Sequence, residues 1–199
     1  MKGSVVAVHA ETLKKLIADG TVPLEELSER LDPAEVAQLC GWIHPGEWYD
    51  IDLYARLLGV LRDFDGGGDV DYLVRAGRRS ADNMIRSGLY PQFEYLRRTE
   101  LVGETDPHAR FVAFGRDLRQ LCTVNKLLLN FAPNHVIVDP DHPDRYVIEH
   151  RDAAAYPEVL CWTSQGFCNR MAEEHDTPDL WSWERPRPDI VWYRMNRAV

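Results

Sequence analysis

The chain lacks most of the short motifs that announce chemistry. It has no Gly-x-Ser-x-Gly elbow, no Walker loop, no dinucleotide fingerprint and no His-Glu-x-x-His pair. No nucleophile, base and orienting group stand in a recognisable arrangement, so no catalytic residue is assigned. Cysteine is scarce: Cys40, Cys122, Cys161 and Cys168 are all there are, and none forms a Cys-x-x-Cys pair. On one helix Cys161 and Cys168 would sit about 10 Å apart, too far to share one tetrahedral ion. They are expected to be reduced thiols in the core, with no metal held. No apolar run reaches the roughly 18 residues of a membrane span. The opening MKGSVVAVHAETLKK is too short an apolar stretch for a secretory signal, so a cytoplasmic location is expected. The net charge of −9 favours solubility and argues against a nucleic-acid partner.

What is present is an ordinary globular composition. With 199 residues, 45% of them apolar, the chain can bury a real core as a single domain over 1–199 without disulfide staples. Val6, Leu13, Leu16 and Ile17 recur at helical spacing, with His9 on the same stripe as a hydrogen-bonded core residue. Pro23 and Asp32-Pro33 open two short helices. Leu53, Leu57, Leu58, Leu61 and Phe64 mark another, which Gly66-Gly67-Gly68 breaks as a plain linker. From Val70 to Ser87 the apolar face contains Gly77, which predicts close approach of another backbone, and Arg75, Arg79 and Arg86 lie opposite. Gly88-Leu89-Tyr90-Pro91 stops that helix, and a short segment through Phe93, Tyr95 and Leu96 follows. Pro107 starts a long helix with Phe114, Leu118, Cys122 and Asn125 on its inner stripe.

Beyond Pro133 the periodicity changes. HVIVD and RYVIEHR flank the turn DPDHPD and read as a β-hairpin; the acidic cluster Asp139, Asp141, His142 and Asp144 reads as a turn. Tyr156 to Glu174 returns to helix. A second hairpin, LWSWER and DIVWYRM about a PRP turn, closes the chain. The fold class is therefore α+β: a mainly helical part over 1–130, then a β-β-α-β-β antiparallel sheet over 131–199.

MKGSVV, EWYDIDLYARLL, VRAGRRSADNMI, LYPQF and YPEVLCWTSQGF, in that order, resemble a myxobacterial paralogous family of uncharacterised domains. That family is similar to a superfamily containing the H-NOX domains, the vinyl-4-reductase domains of aromatic-compound sensors and the Bet3-type subunits of the TRAPP tethering complex. The resemblance implies an H-NOX/Bet3-like fold whose sheet and helices enclose an apolar cavity, and a binding or docking role. It does not imply heme here. Where an H-NOX domain carries its proximal histidine this chain has Thr123, Val124 and Asn125, and RYVIEHR lacks the Tyr-x-Ser-x-Arg spacing. Cys161 lies near one zinc-binding position of the vinyl-4-reductase domains, but SWERPRPDIVW supplies no second cysteine. No cofactor is assigned.

Two roles follow as expectations. A small hydrophobic ligand would be sensed in a cavity lined by Phe114, Asn125, Trp162 and Phe167, with Asn125 as the polar handle. A protein partner, or a second copy in a homodimeric adaptor, would dock on Trp48 and Tyr49 in the WIHPGEWYD loop and on Arg75, Arg79 and Arg86. The third alternative is an enzyme using His135, His142 or His150 for acid–base chemistry.

Overall fold

The computed structural model describes residues 1–87 and 106–199. The predicted helix stop at 88–91 and the segment through Phe93, Tyr95 and Leu96 lie outside them. Seven α-helices are described: α1 (Gly3–Ala18), α2 (Leu24–Ser28), α3 (Pro33–Cys40), α4 (Ile51–Phe64), α5 (Val70–Ser87), α6 (Pro107–Leu128) and α7 (Glu158–Glu173). The strands are β1 (Asn134–Val138), β2 (Tyr146–His150), β3 (Trp181–Arg187) and β4 (Ile190–Met195). Helix starts follow the capping chemistry. Asp32 and Glu35 form a reciprocal capping box on α3. Asp50 accepts from Asp52 and Leu53 amides at α4, and Asp106 accepts from Ala109 at α6, where Pro107 occupies the first turn.

The four strands form one antiparallel sheet in the order β1-β2-β4-β3. The last strand thus lands in the middle, beside β2, which is buried along its whole length. The PRP turn is displaced: Pro186 and Arg187 still belong to β3, and the chain reverses at Pro188-Asp189. An edge strand tolerates proline because its outward N–H has no ladder partner, and the register shifts between Glu184 and Arg187.

The helices meet closely where glycine allows it. A Cβ built on Gly77 would lie 1.8 Å from the Thr163 carbonyl oxygen, and one on Gly166 would lie 1.9 Å from that of Val74. The α5–α7 contact is therefore backbone on backbone, as Gly77 in the apolar stripe predicts. His9 is a satisfied core histidine: its Nδ1 lies 3.2 Å from the Val5 carbonyl and 3.3 Å from the Tyr54 hydroxyl. The acidic turn is tied by Arg194, whose guanidinium donates to Asp139 at 3.2 Å and Asp141 at 2.8 Å.

Candidate functional site

An interior cavity of about 120 Å³ lies among α5, α6, α7 and the inner face of the sheet. Its walls follow from helical periodicity. Phe114, Leu118, Cys122, Asn125 and Leu128 recur every three or four residues along α6 and form one stripe. Leu160, Thr163, Phe167 and Met171 do the same on α7, opposite them. Ile148, His150 and Tyr193 close the sheet side, because residues two apart on a strand share a face. Among the described residues, no Lys, Arg, Asp or Glu lines this space.

The polar groups at the wall are mostly satisfied and uncharged. Tyr156 Oη lies 3.1 Å from Ser164 Oγ and 3.3 Å from Tyr193 Oη. His150 Nδ1 is 2.9 Å from the Ala132 carbonyl, which can only accept, so this nitrogen bears the proton. Burial drives the His150 pKa down to about 4 and pushes the Cys122 and Cys168 thiols up to about 12. These thiols are inert rather than nucleophilic. Ser80 Oγ is buried at the cavity wall with no hydrogen-bond partner.

The structure places Phe114, Asn125 and Phe167 on the cavity wall. Trp162 is not there. Five residues before Phe167, it points roughly 140° away around α7. Its ring packs edge-on against Trp183 at 5.2 Å, and its Nε1 donates to Glu158 at 3.3 Å. Tyr49 also differs from its assignment. It is 8% exposed, and its hydroxyl accepts from the His44 amide. Trp48 forms an isolated antiparallel bridge with Lys2, so the two neighbours turn opposite ways: Trp48 outward, 44% exposed, and Tyr49 inward.

Arg75, Arg79 and Arg86 are exposed on α5. Arg79 covers the Tyr72 ring, and Arg86 donates to Asp82 and Asn83 on its own helix. The three histidines do not converge. His135 pairs with Glu149 on one face of the sheet, His150 with Asn134 on the other, and His142 lies in the turn between. His175 and Trp181 line the cavity and were missed in the sequence; Ser80 was missed because its neighbours, not its own spacing, leave it unpaired. No group of three metal-capable side chains stands together among the described residues.

No family model matches the sequence, and no curated protein matches it. The fold has solved counterparts. An H-NOX-family protein solved in work on heme distortion aligns over 100% of this chain and 97% of its own, with a TM-score of 0.57 and 16% identity. An oxygen-binding H-NOX domain related to soluble guanylate cyclases, in its oxygen complex, aligns over 100% and 97% with a TM-score of 0.51 and 15% identity. An isoleucine-to-phenylalanine variant of the T. tengcongensis H-NOX protein aligns over 100% of both chains, with a TM-score of 0.52 and 15% identity. The chain has the α+β architecture of H-NOX proteins; at this identity the likeness is one of fold.

The fold family implies heme, and the residues present do not fit one. A cavity of about 120 Å³ is well below the roughly 300–1,000 Å³ of pockets that take cofactor-sized ligands. The described histidine of α6, His108, is exposed in the first turn rather than turned to the cavity. Among the described residues, no cationic side chain lines the wall to receive propionates. No described helix is long and apolar enough to cross a membrane.

Proposed function

We propose that this chain is a heme-free, non-catalytic binding domain. It takes a small apolar molecule into its interior and relays the event through a protein contact. It is a divergent member of the superfamily that its sequence resembles, close to the myxobacterial paralogous family. The observation that carries this reading is the cavity: apolar, uncharged and built from facing stripes of two helices. Apolar cavities near 150 Å³ stay dry and admit benzene or xenon. The test is thermal unfolding with benzene or xenon. A guest at ten times its Kd adds about 1.4 kcal/mol of stability. Replacing Ala172, a lining residue, with Phe fills the space and abolishes that gain. No response from the native chain overturns the reading. Titration with hemin tests the cofactor separately: a stoichiometric Soret band would contradict it.

A second reading is a docking module without a guest, including a homodimeric adaptor. Trp42, 83% exposed, favours it, with Trp48 nearby in sequence. Sedimentation at micromolar concentration checks it. A strict monomer, unchanged by Trp42→Ser, removes the homodimer.

A further inference from the structure

We infer that the end of the cavity bounded by Phe114, Trp181 and His175 is a cation site, receiving guests that carry an ammonium group. The inference rests on the reading that the cavity admits a guest, and it names the guest's charge.

Three rings meet at this end. Phe114 and Trp181 lie 6.3 Å apart and nearly parallel, and His175 stands edge-on to Phe114 at 5.9 Å. Aromatic faces carry negative quadrupole density, and convergent rings are how quaternary ammonium groups are held. One turn beyond Phe114 on α6 sits Asp117, only 1% exposed. Its Oδ1 accepts from Arg116 Nε at 3.1 Å, while its buried Oδ2 has no hydrogen-bond partner. A buried carboxylate oxygen left in this state is stabilised by an added positive charge and opposed by a negative one.

The surroundings agree in sign. The groups that act electrostatically on His175 are Asp117 from α6 and its own neighbours Glu174 and Asp176, all acidic; Asp117 stands behind the lining residues and pairs with Arg116, and Glu174 pairs with Arg170. Burial nonetheless holds the His175 imidazole below its ordinary pKa, which disfavours a competing positive charge on the ring itself. With no Lys or Arg among the described lining residues, an anionic head group has no counter-charge at the wall.

The test compares three probes of one shape on the intact chain by calorimetry at neutral pH: choline, its uncharged isostere neohexyl alcohol, and the carboxylate tert-butylacetate. Choline is expected to bind about tenfold more tightly than the alcohol, and the carboxylate weakest. Asp117→Asn should collapse the choline preference while leaving the alcohol unchanged. Should that variant fold poorly, Trp181→Leu serves, and the ranking on the native chain stands by itself. An alcohol that binds as tightly as choline overturns the cation site. So does a failure of all three probes in a chain that still responds to benzene. Failure of benzene as well overturns the parent reading instead.

Discussion

Asn169 of α7 grips Trp181 at the start of β3 with both ends of its amide. Its Nδ2 donates to the Trp181 carbonyl at 3.0 Å, and its Oδ1 accepts from the Trp181 N–H at 2.7 Å. This pair mimics a strand neighbour and fixes where β3 leaves the helix, and therefore where the Trp181 ring enters the cavity end. Asn169→Leu keeps the volume but leaves a buried N–H and C=O unpaired. The expected cost is about 2–6 kcal/mol, since each of the two orphaned groups costs about 1–3 kcal/mol. Urea unfolding measures it. A loss below about 0.5 kcal/mol would mean that the strand holds its position without the clamp.

Gly77→Ala places a methyl 1.8 Å from the Thr163 carbonyl oxygen. Alanine favours the helix by up to about 1 kcal/mol, but backbone cannot yield as a flexible side chain does. The helices must separate, at an expected net cost of about 1–3 kcal/mol or more. Gly166→Ala strains the same contact against Val74, so the double variant should lose less than the sum of the two single losses. Additive losses in melting experiments would show that the two contacts relax independently.

Much of the fold was legible because its periodicities are strong and local. The Leu53-Leu57-Leu58-Leu61 spacing, the helix starts at Asp32-Pro33 and Pro107 and the alternation of Trp181 and Trp183 with Ser182 and Glu184 depend on nearest neighbours. The order β1-β2-β4-β3 does not, because it depends on which hairpin faces meet across α7. The site was legible only in part. Phe114 and Phe167 follow a helical stripe to the cavity wall, whereas Trp162, near such a stripe, stands off the wall because a 100° step decides its face. His175 lies past the last turn of α7, where no period applies. The chain folds back there through the Thr177 hydroxyl donating to the Ala172 carbonyl at 2.8 Å, and this return buries the imidazole.

Acid should unfold the chain through its interior histidines. Burial lowers His9 and His150 from 6.5 to about 4. In the unfolded chain both bind protons near pH 6.5, while in the fold they stay neutral until about 4. Stability from this source is complete above about pH 7 and is lost as pH falls from 6.5 towards 4, by at most about 1.4 kcal/mol per pH unit for each ring. Urea midpoints across that window check the slope. His9→Gln should flatten it by about one ring's share, and an unchanged slope would place the titration elsewhere.

Ser80 offers a case in which removing a polar atom should stabilise. Its Oγ is buried on α5 at the cavity wall, with no hydrogen-bond partner, so the guest-free chain carries the desolvation cost of a hydroxyl that gains nothing in return. Ser80→Ala deletes that atom, adds only a slight enlargement of space already open, and improves helix propensity. The expected gain is about 0.5–1.5 kcal/mol, seen as a higher melting temperature without guest. An apolar guest such as benzene, which forms no hydrogen bond, should bind the variant at least as tightly as the native chain. A guest with a hydroxyl or ammonium N–H that reaches Ser80 should lose affinity instead, so comparing the two classes shows whether this hydroxyl is a handle for ligands. Should Ser80→Ala destabilise the guest-free chain, the hydroxyl is satisfied in solution, and its role as a waiting donor is excluded.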